Sequence, residues 1–343
     1  MKIDAWIGLP EASSPDQLAT IGDRARLMEQ DGYSGLLSAE TSHDPFLPLA
    51  LAAQQTERID LMTAIAVGFA RNPMVLAHTA WDLQALSGGR FLLGLGSQIQ
   101  PHITKRFSMP WSRPAARMEE MIAAIRAIWE AWQTGERLNF RGDFYRHTLM
   151  TPMFSPGPIG VPPPPILISA VGPLMTRVAG RAADGLVCHG FQTADYLRDV
   201  MLPNVEAGLA ESGRDRSEFQ ISMPVFVVSG FDEDDVAAQA ARTRQQIAFY
   251  GSTPAYRGVL EHHGWGEAQT ELNQLSKRGM WKEMGDVIDD EMLDAFAIVA
   301  EPHDVPARLT ERFGGSLDRL QFYAGVRGDA ERWAPIIEEI KAA

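Results

Sequence analysis

The chain has 343 residues, 45% of them hydrophobic, enough to bury a large core as one barrel or two domains. A formal charge of −13 argues against nucleic acid, because a phosphate-binding face needs clustered Lys and Arg. A single cysteine, Cys188, excludes an intrachain disulfide or a thiolate-built metal centre, and no apolar run approaches the roughly 18 residues of a membrane span.

Residues 2–9 (KIDAWIGL) read as the first strand, and Asp4 interrupts their apolar run, so no secretory leader and a cytoplasmic protein are expected. Ser14-Pro15 opens a helix to about Gln30, with Leu18, Ile21, Ala25 and Met28 on one face and Asp31-Gly32 closing it. Strand two is 35–40 (GLLSAE), followed by the polar loop TSHD and a helix from Pro45 to about Thr56. Residues 59–67 are apolar without alternation, as in a strand buried on both faces. Asn72-Pro73 then opens a helix whose apolar residues recur at three- and four-residue steps, and Gly88-Gly89 ends it. Residues 91–96 (FLLGLG) return as a second doubly buried strand, completing a right-handed βαβ unit.

An irregular loop over 98–113 precedes a long helix from Pro114 to about Trp132, and residues 138–150 read as a hairpin around Arg141-Gly142-Asp143. A proline run then leads into strand five, 166–169. Helix 173–182, strand six (185–190), helix 194–212 and strand seven (220–229) follow. Residues 232–296 are helical and too long for one crossover, so part of them, 240–296, reads as an insertion. The short stretch FAIVA, 296–300, is ambiguous; a helix at 303–313, strand eight at 319–326 and a last helix from 330 close the chain. Eight strands alternating with helices specify an α/β fold, a (β/α)8 TIM barrel forming a single domain, whereas a ninth barrel strand would spoil closure.

A site in such a barrel belongs at the C-terminal strand ends: Leu9-Pro10, Glu40 to Asp44, Ala66 to Phe69, Ser97 to His102, Ser169 to Gly172, Cys188 to Phe191, Ser229-Gly230 and Gly325 to Arg327. Gly172-Pro173 puts a helix N-terminus there, where free N–H groups favour an anion; an ordinary βα turn is the plain alternative. Glu40 and His43 could exchange a proton, Glu40 being the better candidate, unless it caps the next helix or pairs with an arginine. Ser97, Gln98 and His102 add polar groups at the end of strand four. The segment GLGSQI misses the sixth position of the dinucleotide fingerprint, and no Walker loop, G-x-S-x-G or H-E-x-x-H is present. The histidines lack metal-ligand spacing, His262-His263 would point apart on a helix, and no metal is expected. The aromatics Trp265, Trp281 and Phe296 read as packing.

The segments GYSGLLSAE, TERIDLMTAIAV, RNPMVLAHTAWDLQALSGGRFLLGLGSQ, PILISAVGPLMTRVAGRAADGLV and DRLQF together resemble the bacterial luciferase-like superfamily of flavin- and deazaflavin-dependent (β/α)8 oxidoreductases. Within it the chain looks most like enzymes that use the deazaflavin coenzyme F420. The resemblance implies hydride transfer between F420 and a small organic substrate, with dimerisation through early helices and a substrate pocket shaped by 240–296. It implies that backbone N–H groups of Ala170, Val171 and Gly172 approach the cofactor phosphate, with Ser97, Gln98 and neighbouring His102 along its tail or ring. It also implies a non-prolyl cis peptide at Ala64–Ile65. Deazaflavin members often carry Asp-His after strand two; this chain has Ala39-Glu40 instead. A reduced-FMN monooxygenase and a non-catalytic cofactor-binding barrel are the alternatives.

Overall fold

The computed structural model describes residues 1–8, 15–323 and 330–342. Eight parallel strands close into a barrel: β1 (Lys2–Trp6), β2 (Gly35–Ser38), β3 (Asp60–Thr63), β4 (Phe91–Gly96), β5 (Ile166–Ala170), β6 (Gly185–Cys188), β7 (Gln220–Val228) and β8 (Arg319–Phe322). Neighbours pair in chain order, and the Lys2↔Arg319 register joins the last strand to the first. Every residue of β2, β4, β6 and β8 is buried, which is why these segments read as unbroken apolar runs.

Inward positions alternate along each strand and stack in layers. At the N-terminal end the guanidinium of Arg319 donates to both carboxylate oxygens of Asp4 at 2.8 Å and to Asp60 at 2.7 Å, and Lys2 also donates to Asp60 at 2.7 Å. A Cβ on Gly35 would overlap this cluster, so glycine is what lets the charges meet inside the barrel. Above the charges lies an apolar layer of Leu37, Met62, Leu92, Leu167 and Val187. This layer floors the C-terminal mouth.

The helix Pro73–Leu86 forms as its sequence dictates: Asn72 Oδ1 accepts from Val75 N at 3.0 Å, and Gly88 and Gly89 leave it at φ 65° and 94°. Beyond it Arg90 donates to Ile59 O at 2.6 Å and to Thr56 O at 2.8 Å. The SGGRF segment is therefore a structural clamp that holds β3 and β4 in register. Trp81 from this helix stacks on Trp129 and meets Trp132 edge-on, both from the long helix Pro114–Thr134.

Several expectations shift. The first helix breaks at Thr20 into Pro15–Ala19 and Ile21–Gln30. The apolar run 59–67 is split: β3 ends at Thr63 and resumes at Ala66–Val67 beside Leu95 and Gly96. FAIVA does form a strand, Ala297–Val299, but it pairs only with the outer half of β7, leaving closure intact. Residues 98–113 contain a π-helical turn, His102–Arg106, and the predicted helix 194–212 contains another, Leu197–Met201. The hairpin pairs Phe140–Arg141 with Arg146–His147, and Glu120 accepts from the N–H groups of Asp143, Phe144 and Tyr145 in its turn. After β7 the insertion is helical: Glu233–Gly251, Arg257–His262, Gly266–Lys277 and Asp290–Phe296. The predicted strand ends Leu9-Pro10 and Gly325 to Arg327 lie outside the described residues. No helix among the described residues is long and apolar enough to cross a membrane.

Candidate active site

The β2–β4 side of the mouth is shaped by the break in β3. Ala64 N donates to Ser38 O at 2.8 Å and Glu40 N to Ile65 O at 3.1 Å, so the break is tied to the end of β2. The Ala64–Ile65 peptide bond is cis, as the resemblance implies. Gly94 and Gly96 are the counterparts on β4. A Cβ on Gly96 would lie 2.5 Å from Ile65 Cδ1 and 2.8 Å from Ser169 Oγ, so the G-x-G of FLLGLG makes room for a neighbouring strand.

Glu40 Oε2 accepts from Val67 N at 2.7 Å and from Arg71 Nη1 at 2.5 Å, while Arg71 Nη2 reaches Asp44 at 3.2 Å. The Glu40 side chain is 8% exposed. Its carboxylate thus works as an ion-paired anchor; Asp44, through Phe46 N and Leu47 N, caps the next helix. His43 sits half-buried on the same loop. Ser97 and Gln98 are half-buried at the end of β4, with Gln98 at φ 59°; Ser97 Oγ donates to Gln98 O, and Gln98 Oε1 accepts from Ile99 N. His102 is exposed at the start of its π-turn, and that turn's Arg106 donates to Thr41 O at 2.5 Å.

After β5, Gly172 precedes the helix Pro173–Ala182, whose N-terminus no side chain caps. A Cβ on Gly172 would meet nothing within 4 Å. Free amides next to open space suit an anion. Tyr196 Oη donates to Val171 O at 3.4 Å, and on the same loop Gln192 is fully buried with both amide atoms lacking a partner among the described atoms. An uncapped helix end beside open space fits a phosphate-bearing cofactor.

The β6–β8 side holds a cluster that no linear spacing announced. His189, one position past β6, points inward in step with Val187, and its Nδ1 accepts from Phe191 N at 3.0 Å. Its ring meets Tyr250 edge-on at 4.5 Å and Tyr256 at 4.8 Å. Tyr323, next after β8, packs at a tilt on Phe226 at 4.3 Å and shares a hydrogen bond with the Tyr250 hydroxyl. Burial pushes His189 down to about 4 and Tyr256 up to about 12. It also raises Tyr250, and Tyr323 further still, so all four groups are neutral near pH 7. Cys188 is buried and its thiol is pushed up to about 12, which removes it as a nucleophile. His262 and His263 do not point apart as expected: their rings meet edge-on at 5.4 Å, His262 bonding Asp199 at 3.3 Å and His263 bonding Thr193 at 2.8 Å; no metal-competent cluster occurs among the described residues. Of the insertion's aromatics, Phe296 packs on Phe191, Trp265 stacks on His263, and Trp281 is half-exposed.

A closed (β/α)8 barrel with polar groups and a free helix end at its C-terminal mouth has the architecture of an enzyme of that fold. Residues 2–319 match the luciferase-like monooxygenase family, and the chain belongs to it. Members of that family are oxidoreductases and monooxygenases. The chain is 54% identical over 310 residues to the uncharacterized protein Rv1360 of Mycobacterium tuberculosis, covering 90% of this chain and 91% of that one. It is 31% identical over 249 residues to an F420-dependent glucose-6-phosphate dehydrogenase of Intrasporangium calvum, covering 68% and 71%. The structure of the coenzyme F420-dependent tetrahydromethanopterin reductase from Methanopyrus kandleri superposes with a TM-score of 0.77 at 20% identity, over 100% of this chain and 99% of that one.

Proposed function

We propose that the protein moves a hydride between the deazaflavin coenzyme F420 and a small organic substrate. The observation that carries this reading is the uncapped helix N-terminus after β5, open at Gly172, in a chain 31% identical to an F420-dependent enzyme. In it, backbone amides from Ala170 to Gly172 and the first helical turn hold the cofactor phosphate. Ser97 and Gln98, with His102 beyond them, border its tail, and Ala64–Ile65 with Ser169 border its ring. When bound, the deazaflavin supplies hydride chemistry at a ring that reacts poorly with oxygen. Glu40 acts as a positioning residue that fixes Val67 and Arg71, and His43 stays beside it as a candidate for proton exchange. The insertion after β7 sends Tyr250 and Tyr256 toward the mouth, which supports its role as a substrate wall. Exposed Leu47 and Leu51, one turn apart on the helix Phe46–Ala53, support a homodimer through the early helices.

Titration of the purified protein with F420 and with FMN, followed by quenching of cofactor fluorescence, tests the reading. Saturable F420 binding without oxygen consumption is expected. FMN binding with oxygen-dependent turnover would instead make the protein a monooxygenase, and tight binding with no turnover would leave a carrier.

A further inference from the structure

Tyr250 comes from the insertion helix and Tyr323 from the end of β8, yet their hydroxyls are bonded to each other. Each phenol has one proton, and the pair consumes only one of the two, so the second remains for a third partner. The pair is held by packing: Tyr323 lies against Phe226, and a Cβ on Gly190 would sit 2.7 Å from the Tyr323 ring, so glycine at this position makes room for it. His189 and Tyr256 back the Tyr250 ring. Gln321, Tyr323's inward neighbour one layer below, faces Ser222 inside the barrel, which fixes Tyr323 as facing the mouth. Both tyrosines remain partly exposed.

We propose that the Tyr250–Tyr323 phenol pair is the hydrogen-bond and proton donor to the oxygen of an uncharged carbonyl substrate. The proposal rests on the hydride-transfer reading above and deepens it. In the reducing direction the carbonyl carbon receives a hydride from the reduced deazaflavin as the C=O π bond breaks. The oxygen takes the spare phenolic proton, giving an alcohol and the oxidised cofactor, and solvent returns a proton to the phenolate. Alcohol oxidation runs the same steps backwards. The enclosure favours an uncharged group because its rings and hydroxyls are neutral, and desolvating a phosphate or carboxylate against them is costly. This gives the proton-donor role to the phenols, leaving Glu40 as the anchor its ion pair makes it.

The test uses the full chain with Tyr323→Phe and Tyr250→Phe, which keep the rings and remove one hydroxyl each. Binding of cyclohexanol is read from tryptophan fluorescence in cofactor-free protein, and turnover of cyclohexanone from deazaflavin absorbance. Cyclohexanol should bind about 2- to 10-fold more weakly to either variant, the worth of one neutral hydrogen bond. Turnover should fall about 10²–10⁴-fold with unchanged F420 affinity. Wild-type cyclohexanol affinity in both folded variants, or binding of glucose 6-phosphate in preference to cyclohexanol, overturns the proposal. If one variant does not fold, the other decides. Absence of F420 binding in the wild type would defeat the hydride-transfer reading and with it the proton step, while the cofactor-free arm would still score the phenol pair as a binding site.

Discussion

Gly94→Ala probes the contact on which the mouth is built. An added Cβ would overlap the Thr63 carbonyl oxygen and lie 3.0 Å from its carbon. The obstacle is backbone, so no rotamer change relieves it; β3 and β4 must separate. Two buried hydrogen bonds cross the same point, since Thr63 Oγ1 donates to Gly94 O at 2.8 Å and accepts from Gly94 N at 2.9 Å. Overpacking of this kind costs about 1–3 kcal/mol, and weakening the two bonds adds about 1–2 kcal/mol, for a total of roughly 2–5 kcal/mol. For 343 residues the unfolding entropy is about 0.7 kcal/mol per kelvin, so the melting temperature should fall by about 3–7 °C. Gly160→Ala is the control: its Cβ would meet nothing within 4 Å, and the expected change is within about 0.5 kcal/mol. Thermal melts followed by circular dichroism compare the two. If Gly94→Ala melts with Gly160→Ala, the close approach of β3 and β4 is not a constraint and the account of the glycines fails.

Gly172→Val should leave the melting temperature near wild type, because φ −93° and ψ 157° suit valine and its Cβ site is open. F420 affinity, measured by fluorescence quenching, should fall about 10- to 100-fold, the worth of one hydrogen bond to a charged group; an unchanged affinity removes this phosphate site. Glu40→Gln weakens the tie to Arg71 and Val67 and should cost about 1–3 kcal/mol in urea unfolding. A rate loss of about 10²–10⁴-fold at unchanged stability would instead return Glu40 to proton exchange. His189 folds as the neutral imidazole, its value lowered by burial from 6.5 to about 4. Its contribution is therefore fully present above the unfolded value and is lost as pH falls from there toward about 4. An imidazole NMR titration should find His189 unprotonated at pH 5.5, and a midpoint near that of free histidine would contradict the enclosure.

The barrel is legible because its strands are buried on both faces, and a run such as 91–96 has few other readings. Boundaries fail where a local rule competes with pairing. The run 59–67 has no breaker residue, yet β3 stops at Thr63 because its continuation must pass over Gly94 and Gly96, a constraint stored in a different strand. FAIVA is ambiguous for the same reason. Three residues of strand propensity become a strand only because β7 extends past the barrel and offers them an edge.

The two sides of the mouth differ in how far sequence can reveal them. Gly172-Pro173 is readable because a strand, a glycine and a helix start are contiguous, so one stretch of chain carries the whole argument for an anion site. Glu40 was visible with two readings, proton exchange or a pair with an arginine, but not with its partners, since Arg71 and Val67 lie a strand away. The phenol pair was not visible at all. His189, Tyr250 and Tyr323 are separated by 61 and 73 positions, and Tyr250 sits on a helix whose face cannot be oriented without its neighbours. They meet only because β8 closes on β7 and the insertion folds back over β6. Tyr323→Phe and Gly172→Val thus test different things: the first a geometry that exists only after closure, the second one already written in the local chain.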